Sequence, residues 1–293
     1  MTWQIISEQI TLATGQAFRV ESYHRVSGGD INAAFRLLGG GRPYFVKRNK
    51  AHLVSMFAAE YRGLQDIART QTVRVPKPIV FGQTPEDSFL VLENVDLGRG
   101  NPASDVLLGE QLALMHQLPQ PYFGWHRDNT IGTTLQNNPR SHSWCDFWRD
   151  QRLYKQLTLA QQQGHGGRLQ HLGDRLCADL AALFADYAPT ASLVHGDLWA
   201  GNAAVDQHGQ PVIFDPACYY GDREVDVAMT ELFGGFSQNF YAAYQSVWPL
   251  QPGYELRKSL YNLYHILNHL NLFGGSYLRQ AESIMDRLLA DLR

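Results

Sequence analysis

The sequence predicts an α+β chain of two lobes, a small antiparallel-sheet lobe over residues 1–95 and a mainly helical lobe over residues 96–293. Three observations support this. Segments that alternate like strands and end in glycine turns crowd into the first 95 residues. From Ser104 onward, apolar residues recur instead at helical spacing. One strand–loop–strand unit, Leu193 to Phe214, interrupts those helices and is dense in carboxylate and amide side chains.

In chain order, Trp3 to Thr14 reads as a short helix, with Trp3, Ile6 and Ile10 at helical spacing. Phe18 to Val26 alternates like a strand, and Ser27 to Asn32 follows as a turn. Ala33 to Leu38, the turn Gly39-Gly40-Gly41 and Pro43 to Arg48 complete a meander. Gly28 and Gly29 either let backbone N–H groups approach a phosphate or make an ordinary hairpin turn, and two glycines do not choose between these. Lys47 is one of five lysines against twenty arginines, and it closes the apolar run Tyr44-Phe45-Val46. A lysine leaving a strand there can act as a point charge on ATP phosphates. Val54 to Arg69 is helical, with Phe57, Tyr61, Leu64 and Ile67 on one face. Glu60 lies beside that face, as a partner for Lys47 or as a solvated helix carboxylate. Val73 to Phe81 is extended, and Phe89 to Leu92 is a buried strand. The chain then turns away, so the lobe boundary falls near Val95. Backbone groups around Glu93 and Val95 would face an adenine.

In the second lobe Ser104 to Leu118, Trp144 to Gln161, Leu169 to Tyr187, Phe236 to Val247, Tyr254 to Phe273 and Ala281 to Leu292 read as helices, and Tyr122 to Gln136 as a loop. His116 is expected to be a satisfied core or capping histidine. Leu193 and Val194 end a short buried strand, and His195 to Asn202 is a loop. Ala203 to Val205 and Pro211 to Phe214 are strands joined by the turn Asp206-Gln207-His208-Gly209. The two strands bring Asp197, Asn202 and Asp215 to one edge. Asp222 to Met229 is a loop entering a helix, from which Asp226 is expected to bond backbone N–H groups of the loop at 195–202.

The spacing His195-x-Asp197-x-x-x-x-Asn202 is that of the protein-kinase catalytic loop, with Gly196 where those enzymes have Arg. Asp215-Pro216-Ala217 stands where they carry Asp-Phe-Gly. In that chemistry Asp197 orients and deprotonates the attacking hydroxyl, and Asn202 and Asp215 hold Mg²⁺ on the phosphates of ATP. The plainer alternative is a pair of Asx-turns closing loops. The joint pattern, in order and with strands on both sides, favours a bilobal protein-kinase-like fold that uses ATP and Mg²⁺. A P-loop NTPase is excluded, because no Gly-x-x-x-x-Gly-Lys-Ser/Thr occurs.

Composition sets outer bounds. Hydrophobic residues at 44% and charged residues at 18% are those of a folded globular protein. A net charge of -3 gives no electrostatic footprint for nucleic acid or a membrane surface. No apolar run approaches the ~20 residues of a membrane span. The opening residues lack the basic start and apolar run of a secretory signal. Cys145, Cys177 and Cys218 are odd in number and widely spaced, as reduced thiols would be. A cytoplasmic monomer with a small-molecule substrate is expected.

His-Gly-Asp-Leu-Trp-Ala-Gly-Asn at 195–202 resembles the fructosamine kinase (ketosamine-3-kinase) family, within the aminoglycoside-phosphotransferase-like group of the protein-kinase-like fold. Trp199 discriminates, since aminoglycoside, choline and homoserine kinases share the frame but do not generally carry it. The resemblance extends through Phe45-Val46-Lys47 with Glu60, Gly124-Trp125 to Asn138, Trp144 with Arg152, Asp215 to Asp226, and Leu267 to Gly274. It implies transfer of the ATP γ-phosphoryl group to the C3 hydroxyl of a ketosamine, whose 3-phosphate then sheds the sugar and frees the amine. It also implies that Lys47 holds the phosphates and Glu60 holds Lys47. Trp199 is then either a flat face for the sugar or a buried loop anchor. His269 is either an acceptor-site ligand or a core histidine bonded to a backbone carbonyl. Many members carry a Cys in the glycine-rich turn; Asp30 stands there in this chain, which argues against a thiol switch.

Overall fold

The computed structural model describes residues 2–27 and 31–292, so the expectations for Gly28, Gly29 and Asp30 lie outside the described residues. The first lobe comprises helix α1 (Thr2–Thr14), strands β1 (Ser22–Val26), β2 (Ala33–Gly39) and β3 (Arg42–Lys50), helix α2 (Val54–Thr70), and strands β4 (Pro78–Gln83) and β5 (Asp87–Glu93). The strands form one antiparallel sheet in the order β1-β2-β3-β5-β4.

The two-residue pleat sorts this sheet into two faces. Val46, Phe89 and Val91 share a small core with Phe18, Leu37 and the α1 residues Ile6 and Ile10. Leu90 and Leu92 face the other way, toward Phe57, Leu64 and Ile67 of α2, in a core that continues through the second lobe. Lys47 follows Val46, so the same alternation turns it toward α2 and leaves it only 5% exposed.

The second lobe begins with α3 (Pro102–His116). Its start precedes the expected one by two residues, because Asn101 caps the N–H groups of Ala103 and Ser104 and Pro102 supplies a preset first turn. Strands β6 (Asn129–Ile131) and β7 (Thr134–Gln136) pair as a hairpin where the sequence reads as a loop. Three residues per strand are too few to display alternation. Helices α4 (Trp144–Trp148) and α5 (Tyr154–Gln162) are joined through a π-helical turn, Arg149–Leu153. Next come α6 (Arg168–Asp179), a 3₁₀ turn at Leu180–Phe184, and strands β8 (Ala191–Val194), β9 (Ala203–Val205), β10 (Pro211–Ile213) and β11 (Tyr219–Asp222). Helices α7 (Glu224–Leu232), α8 (Gln238–Val247), α9 (Tyr254–Phe273) and α10 (Tyr277–Asp291) complete the lobe.

The β9–β10 hairpin forms as expected. A second pair joins β8, the buried strand expected to end at Leu193 and Val194, to β11, which was not legible as strand: Val194 opposes Tyr219, and Ala191 opposes Asp222. Behind it sits Arg152, fully buried in the π-helical turn. Its guanidinium donates to Asn137 O at 2.8 Å and Asn138 Oδ1 at 2.7 Å, and lies 4.2 Å from the Tyr219 ring centre. Asn138 and Gln136 in turn donate to Asn129 Oδ1, and Asn129 Nδ2 donates to Cys218 O at 2.7 Å. The segment after Asp215 is thereby tied to the β6–β7 insertion.

Candidate active site

The loop after β8 is held from below by one carboxylate. Asp226 accepts from the N–H of His195 at 2.6 Å and of Gly196 at 2.8 Å, and from His116 Nε2 at 3.1 Å. This is the role expected of Asp226. His116 is a core histidine, its Nδ1 2.8 Å from the Tyr244 hydroxyl. Burial opposes ionisation of Asp226, but these donors outweigh it and hold the carboxyl below its usual range. Gly196 has φ 81°, and a Cβ there would collide with the Ala217 carbonyl oxygen. The close approach of the two loops therefore explains why glycine stands at this position.

His195 Nε2 donates to Phe214 O at 2.9 Å, and its Nδ1 accepts from the Asp197 N–H at 3.2 Å. Burial keeps the imidazole neutral, which that bonding pattern requires. Phe214 N donates to Asn202 O at 3.0 Å and Ala217 N to His195 O at 2.8 Å, so the two functional loops are laced together by backbone bonds. Asn202 donates its Nδ2 to Asp197 O at 2.8 Å and to Asp197 Oδ2 at 3.2 Å. Burial, then the charge of Asp215, pushes the Asp197 carboxyl up to about 7.

Asp215 takes a left-handed backbone, φ 60°, a conformation that aspartate tolerates better than most side chains. Its carboxylate meets the Lys47 ammonium across the interlobe cleft, and Lys47 Nζ also donates to Glu60 Oε1 at 2.6 Å. Glu60 is 9% exposed, so it is the buried partner and not a solvated helix carboxylate. Burial alone would discharge Lys47, but the two carboxylates raise its pKa above the usual lysine value. Burial raises Glu60 to about 7 against the pull of Lys47.

Asn202 Oδ1 accepts no hydrogen bond among the described residues and, with Asp215, offers hard oxygen donors on one edge. Among the described residues no group of three or more His, Cys, Asp or Glu could hold a metal by itself. That donor set fits Mg²⁺, which takes one or two protein oxygens and completes its shell with phosphate and water.

At the lobe junction Arg74 pairs with Asp206 and, at 2.7 Å, with Glu93 Oε1. The Glu93 side chain is thus engaged in structure. Val95 is half-buried two residues on. The Arg74–Asp206 link escaped the sequence reading, which had treated Asp206 only as a turn residue.

Trp199 folds its indole over Gly201, where a Cβ would collide with the ring, yet stays 39% exposed. It is therefore anchored and still presents a face. His269 is half-buried, and its Nδ1 lies 2.8 Å from His265 O in the preceding turn of α9. The carbonyl fixes the ring, as the core alternative expects, and leaves Nε2 without a partner among the described residues. Phe233, unforeseen, stands 4.9 Å from His269 and 6.4 Å from Trp199, between ring centres. Its nearest sequence signal is the Gly234-Gly235 break that ends α7.

This geometry agrees with comparisons to known proteins. The fructosamine kinase family profile matches residues 2–291. The chain belongs to the fructosamine kinase family. A probable ketoamine kinase of Synechocystis sp. is 50% identical over 290 residues, covering 98% of this chain and 97% of that protein. The chloroplastic protein-ribulosamine 3-kinase of Arabidopsis thaliana is 42% identical over 287 residues, covering 96% and 87%. The crystal structure of a Haemophilus somnus protein assigned as a fructosamine-3-kinase superposes with a TM-score of 0.90 at 29% identity, covering 98% and 97%. Such coverage extends the likeness beyond the catalytic loop to both lobes, α1 and α10 included. Membership in the family carries with it the bilobal protein-kinase-like fold.

Proposed function

We propose that this chain is an ATP-dependent kinase that phosphorylates the 3-hydroxyl of ketosamines, of the fructosamine or ribulosamine type, and so initiates deglycation. What supports this most is the convergence, in a chain of this family, of the Lys47–Glu60 pair across the cleft with Asp215, Asp197 and Asn202. Residues 1–95 act as the nucleotide-binding lobe, with backbone at Glu93 and Val95 facing adenine and the turn at Gly28 and Gly29 covering phosphates. Residues 96–293 form the catalytic and substrate lobe.

Lys47, positioned by Glu60, neutralises phosphate oxygens. Asn202 and Asp215 would hold Mg²⁺, which would neutralise charge on the phosphates. Asp197 accepts a hydrogen bond from the sugar hydroxyl, aligns it for in-line attack and takes its proton as transfer completes. Trp199 packs on the C–H face of the sugar, and His269 Nε2 accepts from a sugar hydroxyl. The shared backbone bonds between the two loops keep these groups in register. Among the described residues no helix is long and apolar enough to cross a membrane. We infer a cytoplasmic monomer.

A coupled ADP-release assay tests the reading with ketosamines differing in sugar, beside aminoglycosides and free sugars. Turnover is expected with the ketosamines. Turnover confined to aminoglycosides or free sugars would reassign the acceptor. Nucleotide binding without turnover of any acceptor would make the chain a non-catalytic nucleotide-binding protein.

A further inference from the structure

Aromatic side chains continue outward from the catalytic loop. From the half-exposed Trp199 the ring centres step 6.4 Å to Phe233 and 4.9 Å to His269. From His269 the wall branches, 5.5 Å to Phe273 and 5.2 Å to Tyr277. Phe273, the last residue of α9, is 61% exposed, an unusual position for a large apolar ring. The end of α9 also borders the cleft. A Cβ built on Gly132, at the tip of the β6–β7 hairpin, would meet Leu272 at 3.1 Å and Ile31 at 3.4 Å. Ile31 belongs to the turn that follows the first-lobe glycines.

Three charges near this wall engage one another. Glu231, two residues before Phe233, accepts from Tyr254 at 2.7 Å and from Lys258 at 2.8 Å. Lys258 also pairs with Glu255. The wall therefore offers ring faces in place of a spare carboxylate. Ring faces attract ammonium groups electrostatically and bury the carbon chains attached to them. In a ketosamine the nitrogen is a secondary ammonium one carbon removed from the keto group, close to the reacting hydroxyl. Its substituent must leave the site along whatever surface adjoins the sugar.

We propose that Phe233 and Phe273, with Tyr277 behind them, form the subsite for the amine half of the acceptor, an alkyl- or arylammonium chain, and set the preference among amines. This deepens the ketosamine reading and rests on it.

The test is steady-state kinetics with three ketosamines of one sugar, made from methylamine, hexylamine and benzylamine. Phe273→Ser, at an exposed site, is expected to raise KM for the hexylamine and benzylamine compounds about tenfold. That follows from losing one ring's worth of cation–π attraction and apolar burial. The rise for the methylamine compound should be several-fold smaller. Leu12→Ser, an equally exposed apolar site on α1 (76% exposed), should change none of the three. An equal rise for all three compounds, or none, would overturn the subsite. So would concentration-dependent dimerisation that Phe273→Ser abolishes, since it would assign the wall to a second copy of the chain. If the unaltered enzyme turns over none of the three, the ketosamine reading itself fails, and this subsite fails with it.

Discussion

Asp226 and Asp197 serve the same loop and end in opposite electrostatic states. Asp226 is fully buried and accepts from two backbone N–H groups and His116, so its charge is answered from three directions and its carboxyl sits below the usual range. Asp197 is half-buried and, among the described residues, its carboxylate accepts only from Asn202, at 3.2 Å, while Asp215 adds a like charge; burial and that charge push its carboxyl up to about 7. Desolvation is the largest influence on both, so the neighbouring charges and hydrogen bonds decide the difference. A fully buried carboxylate that accepts three hydrogen bonds from the protein is closed to a substrate and serves as structure. One held by a single amide keeps open acceptor sites facing the cleft.

Exchange at the two positions should therefore separate activity from stability. Asp197→Asn is expected to cut turnover about 10²–10⁴-fold, the range for a positioned general base. Its melting temperature should hold or rise, because a charge facing Asp215 is removed. ADP release and calorimetry on the same preparation read both quantities. A melting temperature several degrees lower, with turnover intact, would make Asp197 a structural residue.

Asp226→Asn should do the reverse. An amide cannot accept from all three donors, because its NH2 would face the Gly196 N–H in one orientation and the His195 N–H with His116 in the other. A loss of about 3 kcal/mol or more of unfolding free energy is expected, as for a buried charge partner removed. Denaturant titration measures it. Unchanged stability with abolished turnover would move Asp226 into the catalytic set.

A smaller effect comes from a third buried group. His265 is 5% exposed, and burial, then His269, lowers its pKa to about 3 from an unfolded value near 6.5. The unfolded chain thus takes up this proton first. Stability from His265 is complete above pH 6.5 and falls as pH drops through the window down to 3. By pH 5 the loss is about 2 kcal/mol. His265→Leu should flatten that part of the pH–stability curve, as read by melting temperature between pH 7 and 5. An unchanged slope would place the titration elsewhere.

Most of the fold was legible because its signals are short-range. Helix α9 spans Tyr254–Phe273 as its spacing predicts, and the Asp206–Gly209 turn joins β9 to β10 as its residues require. The misreadings share a cause. Strand β11 and the β6–β7 pair have only three or four residues per strand, so alternation could not show. In the same way Phe233 has no local mark, since an aromatic residue at a helix end reads equally as core.

From the sequence alone came the identity and order of the groups proposed to react. Asp197, Asn202 and Asp215 lie close along the chain, and turn chemistry delivers them to one edge. Only the tertiary structure decided what each group meets. Lys47 reaches Asp215 across 168 residues, Asp226 answers backbone N–H groups about 30 positions earlier, and Trp199, Phe233, His269 and Phe273 become one wall. Hydrophobic periodicity and capping act over one helical turn or one strand pair. The pairing of buried charges is settled by which elements pack together, because a buried polar group must find its partner in the three-dimensional fold.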